Sequence, residues 1–260
     1  MACNKLYNYN LVTRDETDIT ATAENAFFPA NNLHDYRTTK VFRTPDGTTT
    51  GIIDFDFKTA EPVDAIILVG NKFDGLGFAS ITVEANITAD FSSPLFSTTV
   101  DIEQKFNFGF KDVSTTKPEF RFWRVTITGA APFVELAHIF IGPELSIGRS
   151  INLNWSFQNN DLSSVTKNRH GQRFTDIRNQ QKEIRIGFSK LSKTEYPLLQ
   201  DAIDINGEHT PFWVVIDPEA EISDNMGRFA GPFFLERAPQ IKNPFYARYD
   251  VNAMRLLEAI

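Results

Sequence analysis

The side chains able to do covalent or acid–base chemistry are few, and their spacing matches none of the common catalytic arrangements. Cys3 is the single cysteine, so an internal disulfide and a cysteine-based zinc site are excluded. No G-x-S-x-G turn lifts a serine above a sheet as a nucleophile. His34, His138, His170 and His209 are widely separated and form no H-E-x-x-H or H-x₃₋₅-H pair. His138 reads as a core or edge residue of a strand. Asp54 and Asp56 could stand as a glycosidase-like carboxylate pair, but they alternate with apolar residues in Gly51–Phe57 (GIIDFDF) and read as the wet face of a strand. Asp74-Gly75-Leu76-Gly77 lacks the G-x-G-x-x-G pattern and reads as a turn. Asp217–Glu221 (DPEAE) fits no EF-hand spacing and reads as an acidic loop. The chain is expected to be non-enzymatic and to need no metal or other cofactor.

The sharpest electrostatic feature is a basic run. From Lys167 to Lys193, Lys167, Arg169, Arg173, Arg178, Lys182, Arg185, Lys190 and Lys193 face only Asp176 and Glu183. That net +6 stands inside a chain of 26 basic and 33 acidic residues, net −7. Three readings are open: phosphate lying close by, docking onto an acidic neighbouring subunit, or a solvated loop. Docking is preferred, with Arg169, Gln172, Arg173 and Arg178 as the contact residues. A dedicated nucleic-acid binder would need a net basic face.

These residues must be carried by strands. The 260 residues are 42% hydrophobic and 23% charged, which fits a globular protein of one large or two ordinary domains. Phe occurs 24 times against 6 Tyr and 3 Trp, a bias that suits pleated surfaces. Gly51–Phe57, Ala79–Ala85 and Phe120–Thr128 alternate, while Val63–Val69 (VDAIILV) reads as a strand buried on both faces. In Phe120–Thr128, Phe120, Phe122 and Arg124 share one face and Arg121, Trp123, Val125 and Ile127 the other. Val134–Ile141 follows and Gly142-Pro143 stops it. In the second half, Ile151–Phe157, Glu183–Phe188, Phe212–Asp217, Phe229–Arg237 and Ala247–Ala259 read as strands. Ser192–Ile205 is the one helix candidate, with a Ser192/Glu195 capping box and an Asn206-Gly207 stop. Residues 158–182 are polar and aperiodic, hence a long loop. The expected division is 1–146 and 147–260. No signal peptide and no long apolar run occur, so synthesis in the cytoplasm and no membrane span are expected, and the sequons at Asn86 and Asn154 are read as chance.

Two resemblances follow. The first half resembles a discoidin-type, galactose-binding-like sandwich. Ala26–Thr44 (AFFPANNLHDYRTTKVFRT) stands where that family has A-x-D-G-x-x-x-T-x-W. Gly51–Val69 and Phe120–Gly142 stand where it has its paired strands. Asn31-Asn32 replaces Asp-Gly, and Phe42 stands near the aromatic position. The resemblance implies an N-terminal antiparallel jelly roll with a sugar-binding loop, for which Tyr36, Arg37 and Phe42, or Phe73 and Phe78, could supply the platform. The stretch GRSINLNWSF followed by Asp161–Phe174 (DLSSVTKNRHGQRF) resembles minor tail and baseplate proteins of long-tailed bacteriophages. The remainder is similar to the tail-tube and distal-tail ring fold, β-rich with one helix. This implies a virion component assembled in the host cytoplasm as a ring of three or six copies. It would join the tail tube to other tail or fibre proteins, with DNA only passing through. The alternative is a carbohydrate-binding module for cell-surface glycans.

Overall fold

The computed structural model describes residues 4–37, 39–70, 78–129, 132–147, 151, 155–178, 180–216, 226–245 and 248–259. The chain is mainly β and forms two compact units, Met1–Ser146 with Phe212–Pro232, and Ile147–Pro211 with Phe233–Ile260. The sequence division leaves 212–232 with the second half; the structure gathers that segment into the first. The reason is apolar cover. Trp213, Val215, Met226 and Ala230 share a buried cluster with Tyr7, Ala65, Ile67, Phe108, Phe110 and Phe140.

The first unit begins with β1 (Lys5–Tyr7), which pairs antiparallel with Phe212–Val215. It continues through β2 (Asp18–Ala21), β3 (Phe42–Arg43), β4 (Thr50–Pro62), β5 (Ala65–Val69) and β6 (Phe78–Asn86). Then come β7 (Phe96–Thr99), β8 (Asp101–Glu103), β9 (Phe108–Asp112), β10 (Glu119–Gly129), β11 (Glu135–Leu136) and β12 (His138–Gly142). Two antiparallel sheets, ordered β2-β4-β10-β6-β7 and β12-β5-β9-β8, form a sandwich, with β3 and β11 as a separate pair. The alternation of β4 drives this layering. Ile53, Phe55 and Phe57 point into a core that also holds Trp123, Val83, Ile66, Leu68 and Ile139, while Asp54 and Asp56 face outward. β5 has no polar face because its Ile66 and Leu68 enter that core and its Ala65 and Ile67 enter the cluster of Tyr7 and Trp213.

At the start of β10 the sequence alternation fails. Phe120 pairs with Glu61 but Phe122 with Asp56, so extra residues of β4, including Lys58 at φ 65°, bulge out. Phe120 therefore packs against the core, and Arg121 turns outward to Asp56. A register shift of this kind moves side chains between faces.

The second unit is built on β13 (Ser156–Asp161), β14 (Ser164–Lys167), β15 (Arg173–Asp176), β16 (Gln180–Leu191) and helix α1 (Glu195–Asn206). With Phe212–Val215 counted as β17, it ends in β18 (Ala230–Leu235), β19 (Ile241–Phe245) and β20 (Arg248–Glu258). β16 lies between β13 and β20, and both β18 and β19 pair with β20. The helix starts as its sequence dictates. Ser192 Oγ accepts the Glu195 N–H at 3.2 Å, and Glu195 Oε2 accepts the Ser192 N–H at 2.7 Å. It ends at Gly207, φ 54°, whose N–H donates to Ile203 O at 2.8 Å.

Residues 158–182 are not a loop. β13 and β16 form a ribbon that carries on as the β14–β15 hairpin, with a one-residue change in register between them. The hairpin closes through Asn168–Gln172. Asn168 N–H donates to Gln172 O, Gly171 N–H donates to Asn168 O, and Gly171 takes φ 79°, as a three-residue turn with a glycine bulge requires. Every residue of β14 and β15 is exposed, so no apolar/polar alternation marks these strands. Of the expected Ile151–Phe157 strand, residues 152–154 lie outside the described residues, and β13 begins at Ser156. Phe73, the turn expected at Asp74–Gly77 and the acidic loop expected at Asp217–Glu221 also lie outside them.

Candidate functional site

Bonded to β3, a tight turn, Asn25-Ala26-Phe27-Phe28, displays an aromatic ring. The Phe28 N–H donates to Asn25 O at 2.8 Å, and Asn25 Oδ1 accepts the Phe27 N–H at 3.0 Å. That side-chain bond is the usual reason for Asn at the start of a turn. Two backbone bonds fasten the turn to β3, from Asn25 N–H to Arg43 O (2.8 Å) and from Arg43 N–H to Phe28 O (3.0 Å). Glu24 Oε2 accepts the Ala30 N–H at 2.8 Å on the far side. Phe27 is left at the apex, 86% exposed, the most exposed large apolar residue among those described.

The ground beside it is stiff and polar. The Arg43 guanidinium lies 3.3 Å from the Phe133 ring centroid and 5.7 Å from that of Phe28, and it donates to Asp46 Oδ1 at 2.9 Å. Cation–π contact of this kind holds an arginine in place. Thr44 Oγ1 donates to Thr48 O (3.0 Å) and accepts the Val134 N–H (2.9 Å). Gly47, at φ 87°, donates its N–H to Pro132 O. The exposed ring stands on a pre-set turn whose backbone is bonded to the strand that carries Arg43, and an aromatic face on a fixed backbone near polar groups suits a small ligand with one C–H face and peripheral hydroxyls.

The ligand loop expected from the sequence does not assemble. Phe42 is fully buried in the sandwich core, so it cannot serve as a platform. In the two-residue strand β3 the inward position falls to Phe42 and the outward one to Arg43. Tyr36 Oη pairs with Thr13 Oγ1 at 2.5 Å, and burial pushes its hydroxyl pKa up. Arg37 closes on Asp35 within its own segment and holds that carboxyl below its ordinary range. Phe27 lies inside the stretch that carries the first resemblance, and the Asn-x-Phe-Phe turn is its signal in the sequence; no motif marks Arg43 or Phe133.

The carboxylate pair is also accounted for. Arg124 grips Asp54 at 2.7 and 2.8 Å, and Arg121 grips Asp56 at the same distances. Asp56 is held well below the usual carboxylate range, first by the Arg121 hydrogen bonds and then by Lys58, which unsuits it as a proton donor. His138 is buried edge-on against Trp213, and burial pushes its pKa down to about 4. The four basic-run residues separate by role. Arg169 and Gln172 lie in the hairpin turn and Arg173 begins β15. Gln172 Oε1 is taken by Asn168 Nδ2 at 2.6 Å. Arg178, at the hairpin base, donates Nε to Asp176 at 3.0 Å.

Solved structures similar to this chain include a chitosan-binding module from a chitosanase/glucanase of Paenibacillus sp. IK-5, at 20% identity, covering 52% of this chain and 99% of that one, TM-score 0.40. A Streptococcus pneumoniae fucose-binding module, SpX-3, shows 12% identity over 52% of this chain and 98% of that one, TM-score 0.41. A Ruminococcus gnavus fucosidase in complex with fucose shows 13% identity over 55% of this chain and 27% of that one, TM-score 0.45. No protein family and no curated protein matches the sequence.

Proposed function

We propose that the chain is a carbohydrate-binding protein whose sandwich takes a neutral sugar at the Phe27 turn. The observation that carries this reading is the ring itself. Phe27 is 86% exposed on a turn held by four hydrogen bonds, so an open aromatic face is presented on a backbone that needs no ordering on binding. In this reading the pyranose lies on the ring and its hydroxyls are met by polar groups of the same turn and of the β3 segment it is bonded to, among them Asp46, whose carboxylate is 77% exposed. Binding rather than catalysis is the proposed activity, and two acidic groups beside the turn are already engaged, Glu24 as a hydrogen-bond acceptor and Asp46 as an ion-pair partner. The test is a glycan array probed with the labelled full chain, including fucosylated, β-galactosyl and chitosan oligosaccharides. Wild type should retain a subset that Phe27→Ala loses. No retention, or equal retention by both, would refute the reading.

A second reading, an assembly part of a bacteriophage tail, draws on one observation, the exposed basic hairpin. None of the similar structures named above is a tail protein, and the ring of three or six copies stays a matter for the solution mass.

A further inference from the structure

The β14–β15 hairpin and the outer face of α1 are both arranged at a cost that an opposite partner would relieve. On the hairpin, Lys167 stands directly across from Arg173, and like charges placed opposite in a sheet destabilise it. Arg169 adds a third cation at the turn, and none of the three has an ion-pair partner among the described residues. The hairpin forms a two-stranded sheet of its own, a structure of marginal stability in water. It still exposes Phe174 and, just beyond β15, Ile177.

α1 shows the complementary pattern. Its inner face buries Leu199, Ala202 and Ile203. Its outer face presents Leu198, Asp201, Asp204 and Ile205 at helical spacing, with Glu208 just past the end, all exposed. Asp204 accepts a bond from Gln200 at 2.7 Å, but no cation pairs with Asp201, Asp204 or Glu208 among the described residues. The last turn carries no base, so these acids crowd the negative end of the helix dipole.

We propose that the hairpin of one copy docks on the outer face of α1 of a second copy, with Lys167, Arg169 and Arg173 meeting Asp201, Asp204 and Glu208. Val165, which is exposed on the same face of the hairpin as Lys167 and Arg173, then packs against Leu198 and Ile205. Charge supports this occupant: residues 164–178 hold four cations and one acid, which leaves the rest of the chain with 22 cations and 32 acids. Because the two surfaces differ, the contact is head-to-tail and generates a closed ring or an open chain. It is independent of the sugar site, which uses other residues.

The experiment is sedimentation velocity on the full chain over a concentration series at low and high salt. Wild type should self-associate, less so in salt. Lys167→Glu/Arg173→Glu and Asp201→Lys/Asp204→Lys should each weaken association by at least about tenfold, because each juxtaposes like charges. An equimolar mixture of the two variants should restore it, which neither unfolding nor a general charge effect would do. A wild-type monomer at every concentration overturns the proposal. So does association that the reversals leave intact. Binding of monomeric wild type to heparin, lost in Lys167→Glu/Arg173→Glu, would also overturn it, assigning the hairpin to an anionic polymer.

Discussion

Two phenylalanines fifteen positions apart should respond to the same substitution in opposite ways. Phe27 is 86% exposed and Phe42 is 0% exposed. Fully burying a phenylalanine side chain contributes about 1.5–3 kcal/mol, and almost none of that is realised at Phe27 in the free protein. A sugar covering one face would gain about half, so Phe27→Ala should weaken glycan binding by about fourfold to twelvefold. Stability should change by less than about 0.5 kcal/mol. Phe42→Ala opens a cavity beneath Gly51, where the ring lies 3.4 Å from the position a Cβ would take. Its cost should be about 3–5 kcal/mol, on the order of 10 °C in a unit of this size. Thermal denaturation of the two variants, read beside wild type, checks the contrast. If Phe27→Ala lowers the transition as far as Phe42→Ala does, the turn is a structural element and the site argument fails.

His138, pushed down to about 4 from an ordinary 6.5 by burial, stays neutral when folded but charges when unfolded. Stability is therefore full above pH 6.5 and falls by on the order of 3 kcal/mol as pH drops to about 4; urea midpoints should show this slope, and His138→Gln should flatten it. Glu183 is fully buried and accepts from Arg255 and Arg185 at 2.7 Å, Asn160 at 2.8 Å and Gln158 at 2.9 Å. The Arg255 bond, first among these, holds its carboxyl well below the ordinary 4.5, so its contribution is complete above that value and is lost as pH falls below it. Glu183→Gln should cost about 3 kcal/mol at neutral pH and remove the acid-side loss, measured by denaturant titration on both sides of pH 4.5. Gly142→Ala would place a Cβ 2.3 Å from Tyr9 O; a midpoint shift equivalent to about 1–3 kcal/mol is expected, and no shift would show that β12 can move aside.

The sandwich could be read from the sequence wherever one face of a strand meets water. Ile53, Phe55 and Phe57 against Asp54 and Asp56 state their directions outright, and Ser192 with Glu195 states where α1 begins. The reading failed where the physics is not periodic. Phe120 and Arg121 change faces because of a bulge at Lys58 on another strand, which no pattern within β10 records. The ribbon through 158–182 was hidden because neither face of β14–β15 is buried, although Asn168 and Gly171 mark its turn. Phe42, expected from the resemblance to face a ligand, is buried, since Phe42 and Arg43 differ only in which side of a two-residue strand they occupy. Glu183, one of two acids in a basic run, gave no sign that it is the buried hub of Arg185 and Arg255.

The central claim is that sugar is held at the Phe27 turn. Its most direct test is an amide-shift titration of the isotope-labelled full chain with the best glycan from the array. The account predicts saturable shifts at 24–28, 43–44, 46–47 and 133–134, with a midpoint several-fold higher in Phe27→Ala. Shifts centred on the hairpin or on α1, or a midpoint unchanged without the Phe27 ring, would contradict it.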